Sequence, residues 1–256
     1  MKLGFIGTGE ITKAVIIGIL KSQIKFSTIY ISKRNKKISN YLKGKNRKIK
    51  ILNDNQEIVN NSNFVFLAIT PEVGRKIIKK LKFQKTKTVI SFISTINLSE
   101  LKKYIKTKCK IVRAIPLPPI SLGVGPVPIY PPNKAVKSFF DKIGKTIEIK
   151  NEKLSLNFWT MSSMMAPFYH MLDQLSHWLV KRGLNKVKAE SYVTSLFLSL
   201  SKNADKNPYK NLAKLVSKSQ TPKGLNEQAL NQLIKLKFYK KLDLASNSII
   251  KRLKRK

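Results

Sequence analysis

Gly7, Thr8 and Gly9 end an apolar run, Leu3 to Ile6, and an apolar-periodic stretch begins directly after them. Glycines at this spacing suit a phosphate. The first permits a tight turn, the second lets the backbone approach a pyrophosphate, and the following helix N-terminus favours negative charge. Glu10 and Ile11 would open that helix. Taken alone, such a turn can also be an ordinary strand-to-helix connection. Thr12 moreover stands where Gly or Ala usually lets helix and strand pack closely, with Ala14 nearby. Its place after a strand and at the head of an α/β segment favours the dinucleotide reading.

A missing residue indicates which dinucleotide. A site for NAD(H) wants an acid at the end of the second strand, to accept from the ribose hydroxyls. No Asp or Glu occurs between Glu10 and Asp54, and the second strand ends instead in Ser32, Lys33, Arg34 and Asn35. A hydroxyl and two cations suit a 2′-phosphate, so NADP(H) is expected in preference to NAD(H). A lysine-rich chain could also place these cations there by chance.

Other chemistries have little to work with. Cys109 is the only cysteine, so neither an internal disulfide nor a cysteine metal cluster is available. His170 and His177 lie seven apart on roughly one helix face, but no acid or cysteine stands near them at zinc-like spacing; core or interface histidines are expected, and no metal. The formal charge of +38, from 51 Lys+Arg against 13 Asp+Glu, invites a polyanion partner. The lysines are scattered through every segment, however, and no aromatic-interleaved RNA-binding signature occurs. Solvated lysine faces are the expected reading, with no specific nucleic acid. The N-terminus lacks a signal-type apolar region and no apolar run approaches the roughly 20 residues of a membrane span, so a cytoplasmic chain with no membrane partner is expected.

These groups need positioning elements. Strands are predicted at 2–6, 28–32, 50–52, 64–69, 88–93 and 110–114, alternating with helices at 11–21, 36–42, 55–60, 73–81 and 98–105. The runs FVFLAI and TVISFI suit strands buried on both faces of a parallel sheet. Residues 116–132 carry seven of the eleven prolines, which excludes regular helix, and a further strand is expected at 146–149. Helical periodicity then dominates, in segments 157–184, 188–204, 208–218 and 226–253. The fold class is therefore α/β: an N-terminal Rossmann-type doubly wound parallel sheet, residues 1–150, followed by an all-helical domain, residues 151–256. Met161, Met164, Met165, Phe168, Trp178, Leu196, Phe197 and Leu198 enrich the helical part. Roughly 100 residues bury such faces poorly alone, so packing on a partner subunit is expected.

The chain resembles the pyrroline-5-carboxylate reductase family nearly end to end. GFIGTGEITKA is similar to the family's opening turn. DNQEIVNNSNFVFLAITPE resembles the segment in which Asn55 and the Ala68-Ile69-Thr70-Pro71 turn would line the cofactor. TVISFIST, with Ser94, resembles the strand beside the nicotinamide. KIVRAIPLPPISLGVG is similar to the arginine–proline stretch, MAPFYHML to a Gly-Pro-Ala-Tyr helix start, and KSQTPKGLNEQAL to the Ser-Pro-Gly-Gly-Thr-Thr substrate loop.

The departures gather at the substrate end. Leu117-Pro118-Pro119 replaces Asn-Thr-Pro, Leu225-Asn226 replaces the paired threonines, and Lys223 replaces a glycine. The resemblance implies an NADPH-dependent reductase that transfers hydride to the C=N of a small imino acid, as in proline synthesis. It also implies a homodimer or higher homo-oligomer built through the helical half. Thr221 and Asn226 would position the substrate; Asp205, Lys223, Gly224 and Leu225 would join Asn226 in binding it. Two other functions stay open: reduction of another small imine or keto acid, and a non-catalytic basic protein that binds a polyanion.

Overall fold

The computed structural model describes residues 1–207 and 211–254. The chain divides into two compact units, Met1–Trp159 and the residues from Thr160 onward.

The first unit alternates strands and helices. In order these are β1 (Lys2–Ile6), α1 (Glu10–Lys21), β2 (Thr28–Ser32), α2 (Lys36–Lys45), β3 (Ile49–Leu52), α3 (Asn55–Asn61), β4 (Phe64–Leu67) and α4 (Pro71–Ile77). Then follow β5 (Thr88–Ser91), α5 (Leu98–Ile105), β6 (Lys110–Ala114), β7 (Pro126–Tyr130), α6 (Lys134–Phe140) and β8 (Lys145–Glu148). The eight strands form one sheet in the order β3-β2-β1-β4-β5-β6-β7-β8. Every pairing is parallel except β6 with β7. Strand order reverses direction at β1 and β4, whose carboxyl ends therefore open a crevice.

Apolar side chains cover both faces, as a sheet flanked by helices requires. Leu3, Phe5, Ile29, Ile31 and Phe66 pack with α1, α2 and α6. Ile6, Tyr30, Val65, Leu67 and Val89 pack with α3 and α5 on the other side.

β7 was not expected, because two of its five residues are Pro126 and Pro128. A proline cannot donate to a ladder and is normally confined to sheet edges. Here the antiparallel pairing with β6 uses only Ile129 and Tyr130, and Pro128 contributes its carbonyl, which accepts from the Ile115 amide at 3.0 Å. Other boundaries shift. β4 and β5 end two residues before the predicted limits, at Leu67 and Ser91, and the helix predicted at 73–81 is α4 followed by a 3-10 turn, Ile78–Lys80.

The second unit is helical: the end of α7 (Ser155–Ser162), then α8 (Met165–Val180), α9 (Lys186–Asp205), α10 (Leu212–Lys218), α11 (Leu225–Lys235) and α12 (Phe238–Lys254). Pro167 falls in the first turn of α8, where its missing N–H removes no helical bond, and Gly183, at φ +93°, lies just past the helix end. The single helix expected over 226–253 is broken by Lys237 in the left-handed region, φ +57°. The start of the helix expected over 208–218 lies outside the described residues. Among the described residues, Ala189 and Val193 are the only buried apolar side chains of this unit; Trp178, Val187, Leu198 and Leu244 are all more than half exposed. Among the described residues no helix is long and apolar enough to cross a membrane.

Candidate active site

The turn after β1 is tight because its neighbours leave no alternative. Gly7 has φ +100°, and a Cβ there would lie 2.2 Å from the Ala68 carbonyl oxygen. Only glycine fits both the torsion and the approach of the β4 turn. Gly9 is the N-cap of α1 with no side-chain cap, and a Cβ built on it meets nothing within 4 Å. The amides of the first helical turn thus face an open groove, the arrangement that receives a phosphate.

Thr12 departs from the usual small residue with a local reason. It is fully buried, and its hydroxyl donates to the Gly7 carbonyl at 2.7 Å, so it braces the turn. Thr8 and Ser32 do the same from the other side. The Thr8 hydroxyl donates to the Ser32 carbonyl at 2.5 Å and lies 2.9 Å from the Ser32 hydroxyl, which also accepts from the Gly7 amide at 3.1 Å. Ser32 therefore spends much of its hydrogen-bonding capacity on the turn, which leaves the adjacent cations as the stronger anion donors.

Two adjoining clefts of about 310 and 540 Å³ run along the carboxyl ends of β1, β2 and β4. They share Gly7, Arg34, Lys36 and Ile69. The first also holds Ser32, Lys33, Asn53 and Asn55; the second holds Thr8, Gly9, Asn35, Ala68 and Thr70. The structure thus brings most of the expected dinucleotide residues together. Lys36, at the start of α2, adds an exposed third cation that the sequence reading missed. Asn35 caps α2 by accepting from the Ile38 amide at 3.1 Å, and Asp54, the first acid after Glu10, caps α3 by accepting from the Gln56 amide at 3.0 Å.

Other predicted residues stand apart. Glu10 points to solvent and pairs with Lys13 at 3.4 Å, and Ile11 packs against the core. Pro71 is the first residue of α4, after the Thr70 N-cap. Ser94 follows β5, and its carbonyl accepts from Arg113. A larger hollow of about 710 Å³ lies at the opposite ends of the strands, between Met1, Ser22–Lys25 and α6, away from the glycine turn.

The expected substrate residues belong to the second unit. Thr221 to Gly224 form a turn closed by the Gly224 amide donating to the Thr221 carbonyl at 2.8 Å, with Lys223 left-handed at φ +60°. Gly224 is the N-cap of α11, again with no side-chain cap. Glu227 reaches back to accept from the Lys223 amide at 2.6 Å, and the Asn226 side chain donates to the Ser219 carbonyl at 2.8 Å. Leu225 is 84% exposed. Asp205 is the last residue of α9, in a different turn.

Both histidines are exposed rather than in a core, and His177 Nδ1 lies 2.9 Å from the Asp173 carbonyl oxygen. Burial pushes the Cys109 thiol up, away from the reactive thiolate. Among the described residues no group of three or more His, Cys, Asp or Glu could hold a metal ion.

The sequence reading also missed a buried ion pair. Arg113, in β6, donates from Nη1 to Glu152 Oε1 at 2.7 Å and from Nη2 to the Ser94 carbonyl at 2.7 Å. An arginine inside the apolar run IVRAI was the available signal.

Two family models match the chain: "NADP oxidoreductase coenzyme F420-dependent" over residues 2–95, and "Pyrroline-5-carboxylate reductase dimerisation" over residues 153–256. Pyrroline-5-carboxylate reductase of Haemophilus influenzae is 23% identical over 89% of this chain and 87% of its own length. That of Staphylococcus aureus is 26% identical over 90% and 88%. The crystal structure of the Streptococcus pyogenes reductase shares the fold at a TM-score of 0.85 and 23% identity, covering 100% of this chain and 99% of that one. The Plasmodium falciparum reductase, crystallised with NADP bound, does so at 0.85 and 22%, covering 100% and 97%. Sheet order, glycine turn and near full-length coverage agree: the chain is similar from end to end to pyrroline-5-carboxylate reductases, and residues 153–256 match the dimerisation model of that family.

Proposed function

We propose that the protein is an NADPH-dependent reductase of 1-pyrroline-5-carboxylate, forming proline, and that it works as a homodimer or larger homo-oligomer. The observation that carries the reading is the glycine turn facing an uncapped helix end, with Lys33, Arg34 and Lys36 beside it and no acid on the second strand.

Bound NADPH would supply the hydride. In the proposed assignment, Gly7, Gly9 and the α1 amides hold the pyrophosphate, while Lys33, Arg34 and Lys36 hold the 2′-phosphate. Asn55 and the Ala68–Pro71 turn flank the nucleotide, and Ser94 lines the reacting end. A cyclic imine is basic enough to arrive protonated, so the protein need not provide a dedicated acid; its task is to orient the C=N carbon and exclude water.

The substrate carboxylate is assigned to the N-terminus of α11, with Thr221, Lys223, Gly224, Leu225 and Asn226 around it. Two threonine hydroxyls of the family are absent there. The α11 amides and the Lys223 ammonium remain as donors, while Glu227 opposes an anion. Asp205 is assigned to the substrate side by the family resemblance. Oligomerisation is supported by the dimerisation-family match and by the apolar side chains that α8 and α9 leave exposed.

The test is NADPH oxidation in the presence of pyrroline-5-carboxylate, with proline measured as product. Stoichiometric proline supports the reading; NADPH oxidation only with other imines or keto acids would move the assignment to that second substrate class.

A further inference from the structure

The loop between β5 and α5 is held in an unusual way. Its apolar residues Ile93, Ile96 and Leu98 are already buried and anchor it to the core. Charged side chains from three other elements then grip its backbone. Arg113 Nη2 donates to the Ser94 carbonyl at 2.7 Å, and Arg75 Nη2, from α4, donates to the Thr95 carbonyl at 3.4 Å. Glu152 Oε1 accepts from the Leu98 amide at 2.7 Å and, at the same distance, from Arg113 Nη1. The one carboxylate oxygen thus joins the start of α5 to β6.

Arg113 is 6% exposed, and among the described residues its Nε has no hydrogen-bond partner; the buried Ser155 hydroxyl and the Trp159 ring nitrogen beside it have none there either. A buried ion pair with an unsatisfied donor is a poor route to stability, since apolar side chains of similar size often do as well or better. What it does supply is direction. It adds directional hydrogen bonds at the Ser94 carbonyl and the Leu98 amide, which apolar anchoring alone does not provide. Strand β5 is the direct neighbour of β4 and its carboxyl end borders the crevice where the strand order reverses.

We propose that the Arg113–Glu152 pair is a positioning device: it sets the 94–98 backbone as the rigid wall against which the reacting end of the nucleotide is aligned. This rests on the reductase reading given above. Neither residue touches the reacting atoms; they act through Ser94 and Leu98.

The test compares wild type with Arg113→Met, Arg113→Lys and Glu152→Gln in the full-length protein. Three quantities are read: the NADPH dissociation constant by fluorescence, kcat with its primary isotope effect from 4-deuterated NADPH, and amide exchange of residues 94–98. Arg113→Met is expected to leave NADPH affinity within about threefold and to lower kcat roughly tenfold to a hundredfold, the usual consequence of a small misplacement. The isotope effect should rise, and exchange should accelerate within 94–98 alone. Arg113→Lys should recover part of kcat. If Arg113→Met does not fold, Glu152→Gln, which keeps shape and removes charge, carries the same expectations at smaller size.

Unchanged kcat with unchanged exchange overturns the proposal. So does a joint fall of affinity, kcat and thermal stability, which marks a merely structural pair. If wild type reduces no imine, the reductase reading fails instead. Exchange and NADPH affinity still decide the pair: faster exchange confined to 94–98 at constant affinity supports positioning, and unaltered exchange refutes it.

Discussion

The two units of this chain treat apolar surface in opposite ways. In Met1–Trp159 the sheet buries its side chains on both faces, with Phe5, Phe66 and Phe140 fully enclosed. In the helical unit the long helix α9 buries only Ala189 and Val193, while Tyr192, Leu196, Leu198 and Leu200 stay exposed. The first unit buries a core of its own, and the candidate nucleotide groove runs along its strand ends. The second leaves apolar helix side chains exposed, as surfaces at subunit contacts do. The contrast is one of enclosure: the candidate nucleotide groove lies in the unit that buries its own core, and the helical unit leaves apolar side chains uncovered.

The strongest way to break this contrast is to charge the exposed face of α9. Leu196→Glu with Leu200→Glu is expected to convert an oligomer into a 29.2 kDa monomer in light scattering and to lower Tm by about 10 °C or more. NADPH binding by the first unit should survive. A wild type that is already monomeric, with its Tm unmoved by these substitutions, would remove the contrast.

Next in size is the turn. Gly7→Ala places a methyl group 2.2 Å from the Ala68 oxygen at φ +100°. Strain of about 1–3 kcal/mol and a displaced β4 turn should weaken NADPH binding at least tenfold, while the oligomer persists. Fluorescence titration reads the affinity. Retained affinity would place the nucleotide elsewhere.

Arg34→Ala sharpens the cofactor assignment within that groove. Loss of a charge-assisted contact should raise the NADPH dissociation constant roughly tenfold and leave NADH nearly unchanged. Equal losses for both would show that Arg34 supports the fold or the pyrophosphate instead.

The smallest effect concerns a surface pair in the first unit. Burial works to raise the Asp141 carboxyl, but hydrogen bonds from Lys137 at 2.5 Å and from the Thr146 amide at 3.1 Å outweigh it and bring the group below its ordinary value of 3.8. A carboxyl lowered on folding contributes stability above the unfolded value and loses it as pH falls through the folded one. Asp141→Asn should therefore reduce Tm by about 2 °C or less at neutral pH, because the pair is exposed and screened, and the difference should vanish in acid. A difference that persists unchanged in acid would assign the effect to packing.

Local pattern made much of the first unit readable. An apolar run followed by Gly-x-Gly and a helical period is a complete local signal for β1, the turn and α1, and the absence of acid before Asp54 needed no structure. β7 was hidden because Pro126 and Pro128 contradict strand propensity; only the partners they happen to face make the strand possible. The bracing role of Ser32, 25 positions from Gly7, and the reach of Arg113 to Glu152 across 39 positions depend on tertiary contacts that no local window contains. The turn proposed to hold substrate was the least legible part. Its spacing near Thr221–Gly224 is that of an ordinary helix-to-helix turn, and the departures at Leu225 and Asn226 show only against the family resemblance.

The reaction proposed for this protein is hydride transfer from NADPH to the C=N carbon of a pyrroline carboxylate. Incubation with NADPH deuterated at the transferable position of nicotinamide C4, followed by mass spectrometry of the product, tests it in one step. The expected product is proline carrying one deuterium on the ring carbon that was doubly bonded to nitrogen. Unlabelled proline, or NADPH that stays reduced beside unreacted pyrroline-5-carboxylate, would contradict it.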